Sequence, residues 1–452
     1  MKLAQLAQRG ADVEIAALAY DSRDVEAGTL FFCVPGERAD GHEHAAEAVA
    51  RGAVALVVER PLGLGVPELL VASAREAMAE IAVRFNGDPS AQLRVAGVTG
   101  TNGKTTSAFL LRALLEAGGE QCALLGTVKS VIGGIEREVA RTTPEAIDLQ
   151  ASFREMVDSG DRAAAMEVSS HALALHRVDG THFAAALFTN LTQDHLDFHT
   201  SMEDYFAAKR RLFEFDVGVR VVNVDDEHGR RLAREHPDAV TFALSSAADY
   251  TASDVRFAVA GASFRALTPA GELELRTRLP GSFNVSNALG AVAAAHSLGV
   301  SLELIASTLP DVAPAPGRFQ ALDEGQAFTV LVDYAHTPDS LENVLRAART
   351  LTERRLLSVF GCGGDRDRGK RPQMGRISSQ LADVTIVTTD NPRSEDPAAI
   401  VAEILTGVDA QAAGEVTAIV DRRAAIERAV ELAGDGDVVV IAGKGHEQGQ
   451  EF

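Results

Sequence analysis

No apolar run in the chain is long enough to cross a bilayer. Runs such as Ala291 to Ala295 or Val438 to Ala442 fall far short of the roughly 20 residues a spanning helix needs. Met1 to Gly10 alternates polar and apolar residues and lacks the apolar block of a signal peptide. The expectation is a cytoplasmic protein with no membrane partner. Cysteine is scarce: Cys33, Cys122 and Cys362 are scattered, with no Cys-x-x-Cys pair, which supports neither a disulfide frame nor a zinc site. Basic residues are in deficit, 43 Lys and Arg against 64 Asp and Glu, for a formal net charge of −21. Such a surface repels a nucleic-acid backbone and excludes that partner class. Any anionic ligand must be held by local groups working against the global field. There is also no fixed-period repeat, no low-complexity segment and no Gly-x-Gly-x-x-Gly dinucleotide fingerprint.

What is present reads as ordinary globular protein. The 452 residues are 46% apolar and 24% charged, with room for two to four domains of roughly 100–200 residues. Asn86-Gly87-Asp88-Pro89 and Pro314-Ala315-Pro316-Gly317 are strong breaker clusters, the second read as a hinge. They predict three domains: 1–89, 90–316 and 317–452. In the middle one, strands are expected at Leu93 to Val98, Ala123 to Leu125, Ala163 to Val168, Ala184 to Thr189 and Val219 to Val224. Helical stretches separate most of them, which argues for an α/β, largely parallel, doubly wound sheet. A helix from about Val285 to Leu298 closes it. The pattern restarts with strands at Phe328 to Asp333, Leu356 to Phe360, Val384 to Thr389, Thr417 to Val420 and Val438 to Ala442, a second α/β domain of Rossmann-like type.

Gly97-Val98-Thr99-Gly100-Thr101-Asn102-Gly103-Lys104-Thr105-Thr106 follows a predicted strand and opens a predicted helix. Glycines let backbone N–H groups wrap a polyphosphate, and the helix N-terminus adds partial positive charge. Lys104 can reach β- and γ-phosphates, and the Thr105 hydroxyl can bind Mg²⁺. The general pattern wants a glycine where Val98 stands, so this is a variant phosphate loop. The competing reading is a glycine-rich turn with a surface lysine.

Glu167 ends an otherwise apolar strand and is followed by Ser169-Ser170-His171. A carboxylate there suits Mg²⁺, although a strand-end Glu is more often simply hydrogen-bonded. The next strand ends in Asn190-Leu191-Thr192-Gln193-Asp194-His195-Leu196-Asp197-Phe198-His199, a metal or phosphate contact, or caps. Gly281 to Asn287 introduces a helix with Ser and Asn residues that could be caps. Gly361-Cys362-Gly363-Gly364-Asp365-Arg366 and Asp390-Asn391-Pro392-Arg393 follow strands of the last domain, where open α/β sheets bind ligands. Each also reads as a solvated turn.

Taken together, Gly-Thr-Asn-Gly-Lys-Thr-Thr, Glu-Val-Ser-Ser-His, Asn-Leu-Thr-Gln-Asp-His-Leu-Asp, Asp333-Tyr334-Ala335-His336 and Gly443-Lys444-Gly445-His446-Glu447 resemble the Mur ligase family. Within it they match best the type that adds the third residue, from Asp21-Ser22-Arg23 to the chain end. The resemblance implies a UDP-muramyl-substrate domain, a central P-loop ATPase and a C-terminal amino-acid domain. That last domain would be truncated, because relatives continue beyond Phe452. ATP would contact Gly100, Thr101, Asn102, Gly103, Lys104, Thr105, Thr106, Asn284, Asn287, Arg318 and Asp333. Mg²⁺ would be held by Thr105, Glu167 and His195, with Lys209 converted by CO₂ to a carbamate. Such an anion binds a cation that an ammonium would repel; the residues alone read Lys209 as a solvated helix lysine. Lys104, Lys209 and His195 would carry the catalysis. The UDP-muramyl substrate would meet Ser22, Glu37, Arg38, Ala39, Thr142, Thr143, Ser169 and Arg177. Leu175 stands where relatives can have a glutamine.

The reaction implied is phosphoryl transfer from ATP to the γ-carboxylate of UDP-N-acetylmuramoyl-L-alanyl-D-glutamate, then attack on the acyl phosphate by an amino acid, in a monomer. No motif marks a base for that amine. Arg366, Asp390, Asn391, Pro392, Arg393, Gly443 and Glu447 would form the amino-acid pocket. A distal carboxylate, as in meso-diaminopimelate, calls for an arginine fork such as Arg393, whereas the ammonium of lysine or ornithine would be repelled by it. Meso-diaminopimelate is therefore expected, with lysine or ornithine as the alternative. Folylpolyglutamate synthase and a P-loop switch or transport ATPase are the rival activities. Asp21-Ser22-Arg23 and Asp-Asn-Pro-Arg argue against the synthase.

Overall fold

The computed structural model describes residues 1–36, 39–409 and 414–452. By contact density the chain forms two compact units. One comprises Met1–Gly97, Glu120–Ala185 and Arg211–Gly218, the other Val98–Gly119, Ala186–Arg210 and Val219–Phe452. The strands Arg94–Thr99, Phe183–Phe188 and Val217–Asn223 each begin in the first unit and end in the second.

The first unit opens with four strands in chain order, Ala17–Ala19, Thr29–Phe32, Ala53–Val58 and Glu68–Leu70, all paired in parallel. Side chains alternate across a strand, so Leu30 and Phe32 join one apolar cluster while Phe31 and Cys33 join another. A sheet covered on both faces has continuous apolar strands, and Thr29–Phe32 is buried throughout. Helix Ala74–Phe85, capped by the Ser73 side chain, buries Met78 and Ile81 against it. The same unit holds Ala163–Glu167 parallel to Cys122–Leu125, extended by the antiparallel hairpin Ser130–Ile132 and Ile135–Arg137.

In the second unit Val217–Asn223, Val240–Ala243 and Tyr250–Ala258 pair in parallel, but Gly261–Thr268 and Gly271–Thr277 continue as an antiparallel meander. The sheet is therefore mixed, its parallel strands continued by antiparallel ones that the sequence reading did not name. The missed signal was period-two burial in Gly261–Thr268, followed by the Pro269-Ala270-Gly271 turn. The last sheet runs Gln320–Leu322, Thr329–Asp333, Val438–Ala442, Leu356–Phe360, Val384–Val387, Glu415–Ala418, parallel except at its first pair. Its final strand, Val438–Ala442, inserts between two earlier ones. Helices Pro338–Thr350, Lys370–Leu381 and Pro397–Leu405 cover one face and Arg422–Leu432 the other. Three neighbouring strands thus release the loops beginning at Gly361, Thr388 and Gly443 on one edge. Glu415–Ala418 lies two residues earlier than the Thr417 to Val420 read from sequence.

Candidate active site

Strand Arg94–Thr99 delivers the glycine loop and helix Lys104–Ala117 receives it. Two glycines are obligatory for steric reasons. At Gly100 (φ +153°) a Cβ would stand 1.9 Å from Thr189 Oγ1, and at Gly103 (φ +87°) one would stand 2.2 Å from Asn287 Oδ1. The loop is tied from beneath. Asn102 N–H donates to Asn190 Oδ1 at 2.9 Å, Asn190 Nδ2 and Thr189 Oγ1 donate to Asn102 O, and Thr101 N–H donates to Asn190 O. Lys104 opens the helix and its Nζ donates to Gly100 O (2.9 Å) and Thr101 O (2.8 Å). Thr105 and Thr106 are buried, and Thr105 Oγ1 accepts from Arg318 Nη2 at 3.3 Å. Asn284 and Asn287 are buried on helix Ser282–Ser297, which packs on the loop's helix. The Arg318 guanidinium lies 4.3 Å above the Tyr334 ring, and Asp333 accepts from Phe319 N–H (2.6 Å) and Ala335 N–H (2.7 Å).

Lys209 does not sit on a solvated face. Its side chain is 1% exposed, and Nζ donates to Gly100 O at 2.8 Å, the carbonyl that Lys104 also uses. Nζ also lies 4.6 Å from the Tyr205 ring, whose hydroxyl meets Thr101 Oγ1 at 3.1 Å. Burial, and then the Lys104 charge, push the Lys209 pKa well below that of a free lysine, with Asp194 opposing. His195 has the left-handed backbone (φ +55°) and its Nε2 lies 3.4 Å from Asp194 Oδ2. His336 Nε2 is 3.7 Å from the same oxygen. Burial would raise the Asp194 pKa, but His336, His195 and Lys370 outweigh it and hold the carboxylate below its usual range.

In the first unit Glu167 ends its strand at 1% exposure, and its carboxylate accepts from Thr127 N–H (2.8 Å) and Thr127 Oγ1 (3.1 Å). A Cβ on Gly126 would fall 2.6 Å from Glu167 Oε1. Around it the structure gathers four of the residues matched to the muramyl substrate. Thr142 Oγ1 meets Thr127 Oγ1 at 3.0 Å, and Thr143 Oγ1 donates to Glu167 O at 2.9 Å. Ser169 N–H donates to Thr143 Oγ1, and the Ser169 hydroxyl caps helix Ser170–Ala174. Arg177 donates to Thr143 O and pairs with Glu145 at 2.8 Å. Ser22 is elsewhere in this unit, its hydroxyl donating to Glu47 at 3.0 Å. Glu37 and Arg38 lie outside the described residues, and Ala39 follows them. Among the described residues no group of three or more His, Cys, Asp and Glu forms a metal cage.

The three loops of the last sheet carry the remaining set. Asp390 is buried, its Oδ2 without a hydrogen-bond partner among the described residues, and a Cβ on Gly443 (φ +114°) would come within 2.4 Å of that oxygen. Asn391 Nδ2 donates to Glu447 at 3.2 Å, and Lys444 Nζ donates to both Asn391 Oδ1 and Glu447 Oε2 at 2.7 Å. Burial would raise the Glu447 pKa, but Lys444 turns the shift downward. Arg393, at φ +52°, donates through Nη1 to Gly364 O (2.8 Å) and pairs through Nε with Glu451 (3.0 Å). Pro392 O crowds Gly364, where a Cβ would lie 1.9 Å away. Arg366 pairs with Asp197 at 3.1 Å. Thr189, Asn190, Tyr205, Glu145 and Lys444 were not singled out from sequence. Asn190 and Lys444 stood inside quoted motifs, whereas nothing local marks Glu145.

Strand, glycine loop, Lys-Thr-Thr helix and buried asparagines beneath them define a P-loop nucleoside-triphosphate enzyme carrying a further Rossmann-like domain. The chain belongs to the Mur ligase family. Three family models match it: the Mur ligase family catalytic domain over 14–86, the Mur ligase middle domain over 98–295 and the Mur ligase glutamate ligase domain over 317–445. It is 49% identical over 450 residues to the UDP-N-acetylmuramoyl-L-alanyl-D-glutamate--2,6-diaminopimelate ligase of Geobacillus kaustophilus, covering 97% of this chain and 91% of that one. The ligase of the same name from Geobacillus thermodenitrificans is 47% identical with the same coverage. A solved structure of a ligase so named superposes with a TM-score of 0.73 at 35% identity, over 100% of this chain and 95% of the other. The chain has the three-domain Mur ligase fold, and the family consists of ATP-dependent, peptide-forming ligases.

Proposed function

We infer that the chain joins meso-diaminopimelate to UDP-N-acetylmuramoyl-L-alanyl-D-glutamate with cleavage of ATP, in peptidoglycan precursor synthesis. The observation that carries this is identity near one half with diaminopimelate ligases over almost the whole chain. Residues 1–89 would take the UDP portion, 90–316 the ATP and 317–452 the amino acid. A γ-carboxylate oxygen of the dipeptide attacks the γ-phosphorus and ADP leaves. The amine then attacks the acyl carbon and phosphate leaves. Lys104, at the loop mouth, neutralises the transferring phosphoryl group, and the loop N–H groups hold the rest of the triphosphate. Thr105, Glu167, His195 and Lys209 are the proposed Mg²⁺ residues. The metal, when bound, supplies charge neutralisation at the phosphate oxygens. Burial favours the neutral amine of Lys209, the form that adds CO₂, which supports carbamylation.

Arg393 supports the choice of amino acid, because its Nε already pairs with a carboxylate, that of Glu451. A substrate's distal carboxylate has the same chemistry. The enzyme would work as a cytoplasmic monomer; no helix among the described residues is long and apolar enough to cross a membrane. Phosphate release with the UDP-muramyl dipeptide should depend on meso-diaminopimelate and be far weaker with L-lysine or L-ornithine. Preference for a diamine would overturn the amino acid, and release without any amino acid would overturn the ligase in favour of a switch or transport ATPase.

A further inference from the structure

Arg371, on helix Lys370–Leu381, is completely buried. A guanidinium is kept out of water only against a large desolvation cost, so its partners reveal its use. It makes a bidentate pair with Glu395, Nη1 to Oε2 at 2.9 Å and Nη2 to Oε1 at 2.8 Å. Nη1 also reaches Glu403 at 2.8 Å, and Nη2 donates to Gly363 O at 3.1 Å. Glu395 in turn accepts from Asp365 N–H at 2.7 Å, and Asp365 accepts from the Ser394 hydroxyl at 2.6 Å. Gly364 N–H donates to Asn391 O at 2.9 Å. The Asp365–Glu395, Ser394–Asp365 and Gly364–Asn391 bonds tie the loop after Phe360 directly to the loop after Val387, and Arg371 braces both from its helix through Gly363 O and Glu395. Arg393 lies inside this clasp, with its Nη1 on Gly364 O.

We propose that Arg371 and Glu395 are positioning residues for the choice of amino acid, fixing the spacing of the two loops and so aiming the Arg393 guanidinium. This rests on the reading that Arg393 receives the distal carboxylate of the substrate. The planar fork of an arginine matches the two carboxylate oxygens of glutamate, and neither lysine nor glutamine reproduces that pairing. Releasing the clasp lets Arg393 shift while the phosphate loop and muramyl site stay as they are.

The test uses the full chain with four variants: Glu395→Gln, Arg371→Lys, Glu403→Gln and Arg393→Ala. A misplacement of about 1 Å can cost on the order of 10²-fold. Glu395→Gln should therefore raise KM for meso-diaminopimelate about tenfold or more and lower its kcat/KM advantage over L-lysine about tenfold. KM for ATP should move less than about twofold. Arg371→Lys should give the same pattern, and it decides the matter if Glu395→Gln does not fold. Glu403→Gln takes the charge from the carboxylate that Arg371 shares with Arg368 while leaving the Arg371–Glu395 pair and the bonds between the two loops in place, and is expected to lower Tm while leaving amino-acid preference alone. Unchanged preference in Glu395→Gln, or an equal loss in Glu403→Gln, would overturn the positioning role. Unchanged preference in Arg393→Ala would instead overturn the reading of Arg393 itself, so the two failures are distinguishable.

Discussion

The phosphate loop and the proposed amino-acid pocket both lie where parallel strands end, yet they are built on different plans. The loop is seven consecutive residues, Gly100 to Thr106, shaped by two glycines that admit no side chain. The pocket is gathered from three segments, around Gly364, Arg393 and Gly443, and works through side chains that hold one another. Backbone N–H groups can wrap phosphates only if adjacent residues turn together, so the binder is contiguous. Recognition of a particular amino acid needs charges at several separate points, so its binder is dispersed. The first plan tolerates little change anywhere; the second distributes its specificity.

That contrast sets the order of expected effects. Lys104→Ala should be the most severe, lowering kcat on the order of 10³-fold or more with an unchanged melting temperature, because the phosphoryl charge loses its cation. Near-normal turnover in the folded variant would sink the nucleotide assignment.

Lys209 shares Gly100 O with Lys104, and the two variants should nonetheless behave differently. Lys209→Ala should lose on the order of 10²-fold and regain part of it with millimolar short-chain carboxylates, which Lys104→Ala should not. Its depressed pKa adds a sign: the amine is neutral above that pKa, so activation by bicarbonate should persist as pH rises and vanish as pH falls through it. Full activity of Lys209→Ala, or intact mass showing no adduct after bicarbonate treatment, would remove the carbamate.

In the pocket, Arg393→Ala should cost about 2–5 kcal/mol in kcat/KM for meso-diaminopimelate, and much less for L-lysine. Indifference to the change would break the comparison at its second member. The smallest effect belongs to Gly443→Ala, where the new Cβ meets the buried Asp390 oxygen at 2.4 Å. Strain of that kind is worth on the order of 1–3 kcal/mol, and KM for the amino acid should rise while KM for ATP stays put. A rise in the ATP value instead would show that the two regions are not separable.

Parallel strands were the most legible part of the fold. Leu356–Phe360 and Val438–Ala442 have the bounds read from sequence, because strands buried on both faces are uninterrupted apolar runs. The meander from Tyr250 to Thr277 was not legible: its outer residues are exposed, and a one-sided strand carries only a faint alternation. Among the site residues, local order placed Lys104 at the start of its helix. Lys209 had no such context.

By itself the sequence determined what depends on neighbours along the chain: the α/β strand rhythm, the glycine loop and its helix, and the motifs that mark the Mur ligase family. Tertiary structure alone decided what depends on burial. It put Lys209 in a dry site against Gly100 and Tyr205, made Arg371 a buried brace, and matched Gly103 to Asn287 across a long stretch of chain. The physical reason is that a charge or a close approach acquires its meaning from the dielectric and the atoms around it, and those are supplied by segments distant in sequence.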